Sequence, residues 1–148
     1  MVISKNKKLL LISAVIIACV IGIIFWFIES KTYTASEVFR GNFSAKGGVL
    51  EIIHLKEREQ ISDEIQTEVS LSKEQQYELI RLLEQAEYKK RKYFEFGYSQ
   101  YLLSLKSPSV HMLFYDAITA SIKLSDGDET YQIKDDGAFK EAFNKAVK

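Results

Sequence analysis

The chain has 148 residues, with 20 Lys and Arg against 20 Asp and Glu, a formal net charge of zero and a hydrophobic content of 47%. That balance excludes the strongly basic class that grips nucleic acid by neutralising phosphates, and the apolar fraction is too high for a chain that stays disordered. Cys19 is the single cysteine, so no disulfide within the chain can hold any part of the fold.

Residues 9–28 open with Leu9, close with Ile28 and carry no charge. At about 1.5 Å rise per residue such a helix covers about 30 Å, the hydrocarbon thickness of a bilayer, so a single transmembrane helix with the lipid bilayer as its partner is expected. One glycine, Gly22, and no proline interrupt the run, which suits a medium that offers the backbone no other hydrogen-bond partners. Lys5, Lys7 and Lys8 precede the run, whereas Glu29 and Lys31 follow it. The excess of cations on the leading side puts the N-terminus in the cytoplasm and the rest of the chain outside. Trp26, flanked by Phe25 and Phe27, falls where an indole prefers the headgroup zone. A cleaved signal peptide fits less well, because its apolar core is shorter and ends in a small-residue site that is missing near 27–30. Ile16-Ile17-Ala18-Cys19 resembles the lipobox of bacterial lipoproteins, although nine further apolar residues follow Cys19. Lipidation of Cys19 stays open beside the reading of an apolar thiol inside a helix.

Residues 30–148 hold 17 Lys and Arg against 19 Asp and Glu, a net −2, and their length suffices for one domain with its own core. Thr34-Ala35-Ser36-Glu37 has the form of a capping box, with Gly41 as a stop, and predicts a short juxtamembrane helix. The small and polar stretch 41–48 reads as a linker. Residues 49–56 and 64–71 alternate or are rich in β-branched side chains and predict a hairpin. Ser72-Lys73-Glu74-Gln75 is a second capping box, and Gln76, Leu79, Ile80, Leu82, Leu83 and Ala86 recur on one face of the helix it opens.

Four strands are predicted over 100–106, 110–115, 118–124 and 130–134, with Ser107-Pro108 and Asp126-Gly127 as turns. A last helix follows Asp135 or Asp136, with Phe139, Ala142, Phe143, Ala146 and Val147 on one stripe. The fold class is therefore α+β: an N-terminal transmembrane helix, then an antiparallel sheet in the order ββαββββα with helices packed on one face. The expected organisation is a cytoplasmic tail at 1–8, the membrane helix at 9–28, a juxtamembrane helix and linker at 29–48, and the extracytoplasmic domain at 49–148. A capped helix, a strand meander, the element Tyr131-Gln132-Ile133-Lys134-Asp135 and a terminal helix together resemble small uncharacterised membrane-tethered extracytoplasmic domains of Gram-positive bacteria. That resemblance spans about residues 49–148 and implies location without an assigned activity.

No constellation specifies a reaction. His54 and His111 each stand alone on a predicted strand, short of the ligand count a metal needs. Asp126, Asp128 and Glu129 flank Gly127 in a hairpin, which lacks the distal ligand of a calcium loop. Gly97-Tyr98-Ser99 begins like a nucleophile elbow but has neither its second glycine nor its strand-to-helix setting. No catalytic residue, metal ligand or cofactor is thus indicated. One segment has functional colour: Lys89, Lys90, Arg91 and Lys92 run into Tyr93, Phe94, Phe96 and Tyr98. Cations beside aromatics suit lipid headgroups or an anionic wall polymer. The structural alternative puts the cations at the C-terminal end of the main helix, against its dipole, with the aromatics in the core. The functional expectation is a membrane-anchored binding domain without chemistry of its own, whose partner is an envelope protein or a cell-wall polymer. An immunity-type protein that blocks a toxin at the envelope, and an envelope hydrolase with dispersed carboxylates, are the alternatives.

Overall fold

The computed structural model describes residues 5–41, 44–55, 66–92, 100–106 and 109–148. The chain divides into two units, Met1–Lys31 and Thr32–Lys148.

The first unit is one helix, α1 (Lys5–Ser30), of 26 residues. Its side chains over 12–27 are exposed, Ile23 at 64% and Trp26 at 70% among them. Among the described residues no helix is long and apolar enough to cross a membrane.

The second unit is α+β, built on one antiparallel sheet of eight strands. In chain order its elements are β1 (Thr32–Tyr33), α2 (Ala35–Val38), β2 (Val49–Leu55), β3 (Gln66–Val69), α3 (Lys73–Gln85), β4 (Tyr88–Arg91), β5 (Gln100–Lys106), β6 (Val110–Asp116), β7 (Ser121–Leu124), β8 (Thr130–Ile133) and α4 (Gly137–Ala146). Across the sheet the order is β1-β4-β8-β7-β6-β5-β2-β3. The hairpin of β2 and β3 and the meander β5 to β8 lie where the alternation predicts them.

Three features differ from the sequence reading. The sheet gains two strands at one edge, β1 and β4, which pair with each other, and β4 also pairs with β8. Neither Thr-Tyr nor Tyr-Lys-Lys-Arg alternates, so their strand conformation comes from the neighbour that each finds and not from local pattern. The compact unit also begins at Thr32 instead of Val49. The segment read as juxtamembrane helix and linker contributes Ala35, Val38, Phe39 and Ala45 to the core. Finally, the predicted strand at 118–124 is shortened to β7, because 117–120 forms the turn from β6. Buried Asp116 organises that turn: its Oδ1 accepts from the Ile118 N–H at 2.8 Å and its Oδ2 from the Thr119 hydroxyl at 2.9 Å. Ala120 completes it at a φ of 51°.

Because paired residues share a face, the registers define the two sides of the sheet. Leu50 and Ile52, Leu103 and Leu105, Leu113 and Tyr115, Ile122 and Leu124, Tyr131 and Ile133, and Tyr88 line one side and are buried. The helices cover this side. Helix α3 takes the chain from β3 at one edge to β4 near the other and buries Leu79, Ile80 and Leu83. Its capping box is formed as the sequence predicts: Ser72 Oγ accepts from the Gln75 N–H at 3.2 Å, and Gln75 Oε1 accepts from the Ser72 N–H at 2.9 Å. Gln76, on the same stripe, accepts from the Leu50 N–H and donates to the Leu71 carbonyl, both at 3.3 Å.

Helix α4 packs on α3 and buries Phe139, Phe143 and Ala146. Asp136 takes the N-cap position without a capping bond and instead pairs with Lys140 at 2.8 Å. An aromatic cluster joins helix to sheet: Phe143 meets Tyr101 and Tyr115 edge-on at 4.8 and 4.7 Å between ring centroids. Edge-on aromatic pairs of this kind add about 0.5–1.5 kcal/mol each beyond the apolar area they bury.

Candidate functional site

The basic run occupies β4 and the residue after it. Helix α3 ends at Gln85 with no basic residue in its last turn, so the reading in which the cations complement the helix dipole does not hold. Lys89, Lys90 and Arg91 are strand residues, and all four cations through Lys92 are exposed. Tyr93, Phe94, Phe96 and Tyr98 lie outside the described residues, as do Ser99, the hydroxyl of the elbow-like triplet, and the Ser107-Pro108 turn.

Strand alternation splits the cations between the two faces. Lys90 shares the helix side with Tyr88 and Tyr131, and it forms an ion pair with Glu129. This hydrogen bond raises the pKa of the Lys90 ammonium and lowers that of the Glu129 carboxyl. The Tyr131 hydroxyl donates to the other Glu129 oxygen at 2.7 Å, and the Tyr131 ring meets Tyr33 edge-on at 5.5 Å. Glu129, read from the sequence as one of the acids flanking Gly127 in a hairpin, thus bonds to both β4 and β8. Lys89 and Arg91 project from the opposite face, the helix-free face, which no helix among the described residues covers. Arg91 donates to Gln132 Oε1 of β8 through Nε at 2.8 Å and also through Nη2. Lys89 stands between Thr32 of β1 and Gln132 of β8. Lys123 lies in line with Arg91 across Thr130.

The helix-free face also carries an apolar area that sequence reasoning left unassigned. Val49, Val110 and Met112 are 41%, 63% and 44% exposed, with Leu102 and Ile53 half-buried on the same side. The Lys106–Glu51 ion pair at 3.1 Å crosses this area. Alternation in β6 made Val110 and Met112 a set distinct from His111, Leu113 and Tyr115, but it did not say which set meets the helices. Only the covering by α3 and α4 decides that.

The two histidines are packing residues. His54 stacks on Tyr101 at 4.7 Å and His111 tilts against Phe39 at 5.6 Å. Among the described residues no three of His, Cys, Asp and Glu gather as a metal site. Two hollows border the basic strand and the acidic turn. One, of about 350 Å³, lies between Phe114, Lys123 and the turn at 125–128. The other, of about 230 Å³, lies between Lys89, Gln132 and Lys134 to Asp136. The first mixes Phe114 and Leu124 with Lys123, Ser125, Asp126 and Asp128, and the second sets Lys89 and Lys134 beside Asp135 and Asp136. The exposed cations of β4 and the exposed apolar side chains of the sheet face that Lys89 and Arg91 share can together meet an anionic or amphipathic surface by charge and apolar contact.

Against known proteins, the chain matches no family model, no curated protein and no solved structure.

Proposed function

We propose that the chain is a single-pass membrane protein in which α1 is the anchor, the N-terminus is cytoplasmic and the Thr32–Lys148 unit is an extracytoplasmic binding domain without chemistry of its own. The observation that carries this reading is the contrast between the two units. The domain has an apolar core of its own, made by its own sheet and helices. Apolar side chains such as Ile12, Ile16, Ile23 and Phe27 of α1 stay exposed. At about 1.5 Å per residue, the 26 residues of α1 extend about 39 Å. That length exceeds the hydrocarbon layer and suits a medium that is itself apolar. The charge-free run 9–28 and the preceding lysines supply the span and its direction.

The binding role rests on the helix-free face, which carries both exposed apolar residues and the cations Lys89 and Arg91. An envelope protein or an anionic polymer of the wall fits that surface. Protease treatment of intact spheroplasts tests the topology. The domain should be digested while mass spectrometry of the membrane fraction recovers an intact peptide spanning residues 1–8. A protected domain, or Cys19 recovered as a lipidated N-terminus, refutes the arrangement. Crosslinking on whole cells then tests the binding role, which fails if no partner exceeds background.

A further inference from the structure

We propose that β4 is a headgroup-contacting strand, in which Lys89, Arg91 and Lys92 bind anionic phospholipid at the membrane face from which α1 emerges. The proposal rests on the anchoring reading above and adds the ligand class that the basic strand meets.

The pairing of β1 with β4 carries the argument. Only Lys31 separates Ser30, the last residue of α1, from Thr32, the first of β1. A chain that extends at most about 3.6 Å per residue keeps Thr32 within about 7 Å of Ser30, whatever the orientation of either unit. Lys89 is the strand partner of Thr32, about 5 Å across the ladder. Leaving α1, β1 runs from Thr32 to Tyr33, and β4 is antiparallel to it. Lys90, Arg91 and Lys92 follow Lys89 in the opposite sense to β1, each about 3.4 Å further along. The polar layer of a bilayer is about 5–7 Å deep on each side. A lysine side chain can cover the remaining distance, with its stem along the strand and its ammonium among the phosphates.

The charges facing this end favour an anion. Lys90 and Glu129 neutralise each other, and Asp126 and Asp128 stand in the turn between β7 and β8. Asp135 and Asp136 line the hollow beside Lys89, where Asp136 pairs with Lys140 and Lys134 with Glu87, so that Asp126, Asp128 and Asp135 stand against Lys89, Arg91, Lys92 and Lys123, the last aligned with Arg91 on the helix-free face. A soluble wall polymer offers the same phosphate chemistry. Lipid is favoured because Thr32, the strand partner of Lys89, is only two residues along the chain from the end of the proposed anchor, which makes the encounter effectively intramolecular.

The test uses the full chain in nanodiscs of phosphatidylcholine alone or mixed with phosphatidylglycerol, with the acetylation rate of each lysine read by mass spectrometry. With phosphatidylglycerol, acetylation of Lys89 and Lys92 should slow about fivefold, in keeping with the pull of an acidic leaflet on each cation, and should recover in high salt. Lys145, exposed on α4, should react equally in both discs. Equal rates for Lys89 and Lys92 in the two discs overturn the proposal, and so does a uniform slowing that includes Lys145. Protection by soluble polyglycerol phosphate but not by phosphatidylglycerol overturns the lipid assignment in favour of a polymer. Alkaline carbonate extraction separates the two levels of the argument. Release of the chain from membranes removes the anchoring reading, whereas retention with unprotected lysines removes only the headgroup contact.

Discussion

Tyr88→Phe and Tyr115→Phe each delete one oxygen from a ring that is 0% exposed, and the two substitutions should move stability in opposite directions. The Tyr88 hydroxyl donates to the Leu83 carbonyl at 2.6 Å. Leu83 lies in the last turn of α3, where carbonyls have no partner further along the helix. Phenylalanine leaves that buried acceptor unpaired, at a cost of about 1–3 kcal/mol. The Tyr115 hydroxyl is buried with no hydrogen-bond partner among the described residues. Its desolvation, about 1–3 kcal/mol for an unpaired hydroxyl in proteins, is not offset. The ring keeps its edge-on contacts with Phe139 at 5.4 Å and Phe143 at 4.7 Å after substitution. Tyr115→Phe should therefore be neutral or stabilising by about 1 kcal/mol.

The assay is urea unfolding of the 30–148 fragment followed by far-UV circular dichroism. With a slope of about 1–2 kcal/mol/M, Tyr88→Phe should lower the midpoint by about 1 M, and Tyr115→Phe should leave it unchanged or raise it. Equal destabilisation by both would refute the reasoning, since it would mean that the bond to Leu83 contributes nothing specific.

The same two hydroxyls set a pH limit. Burial raises the pKa of Tyr88 and of Tyr115 well above the ordinary value of 10.0. The folded state therefore holds protons that the unfolded state gives up. Their contribution to stability is intact below about pH 10 and is lost as pH rises beyond it, by about 1.4 kcal/mol per pH unit for each tyrosine. Urea midpoints measured across that range should fall less steeply in Tyr88→Phe than in the wild type, and identical slopes would count against the burial argument. Ser72→Ala removes the acceptor for the Gln75 N–H and should cost about 1 kcal/mol in the same unfolding assay. A substitution within 0.3 kcal/mol of neutral, roughly the additivity error of such measurements, would mean that water replaces the cap. Phe143→Ala empties the centre of the cluster formed by Tyr101, Tyr115 and Phe139. It should cost about 3–5 kcal/mol, with loss of near-ultraviolet dichroism, and a loss below about 2 kcal/mol would show that the cluster closes over the gap.

The parts of this protein written locally in the chain are those whose physics is local. Ser72 and Gln75 satisfy backbone donors only three residues apart, and Asp126-Gly127 turns the chain between two strands that pair directly. The stripes of α3 and α4 follow from a 3.6-residue period that any neighbouring apolar surface would select. The long apolar run and its flanking lysines are equally plain, because hydropathy over 9–28 needs no tertiary context to be read. The candidate site was legible only as a composition, cations meeting aromatics at 89–98. Its placement was not, and the natural extension of α3 put the cations on the wrong element.

What tertiary structure alone decided is the sheet's first edge and everything that depends on it. Thr32 and Tyr33 become a strand because Lys89 and Tyr88 offer them backbone partners 57 and 55 residues further along the chain, and no period in either segment announces such a pairing. That pairing makes the segment from Thr32 part of the domain and splits the cations of β4 between two faces. Propensity acts within a few residues, whereas a strand at a sheet edge is defined by whichever unpaired backbone the rest of the fold brings beside it.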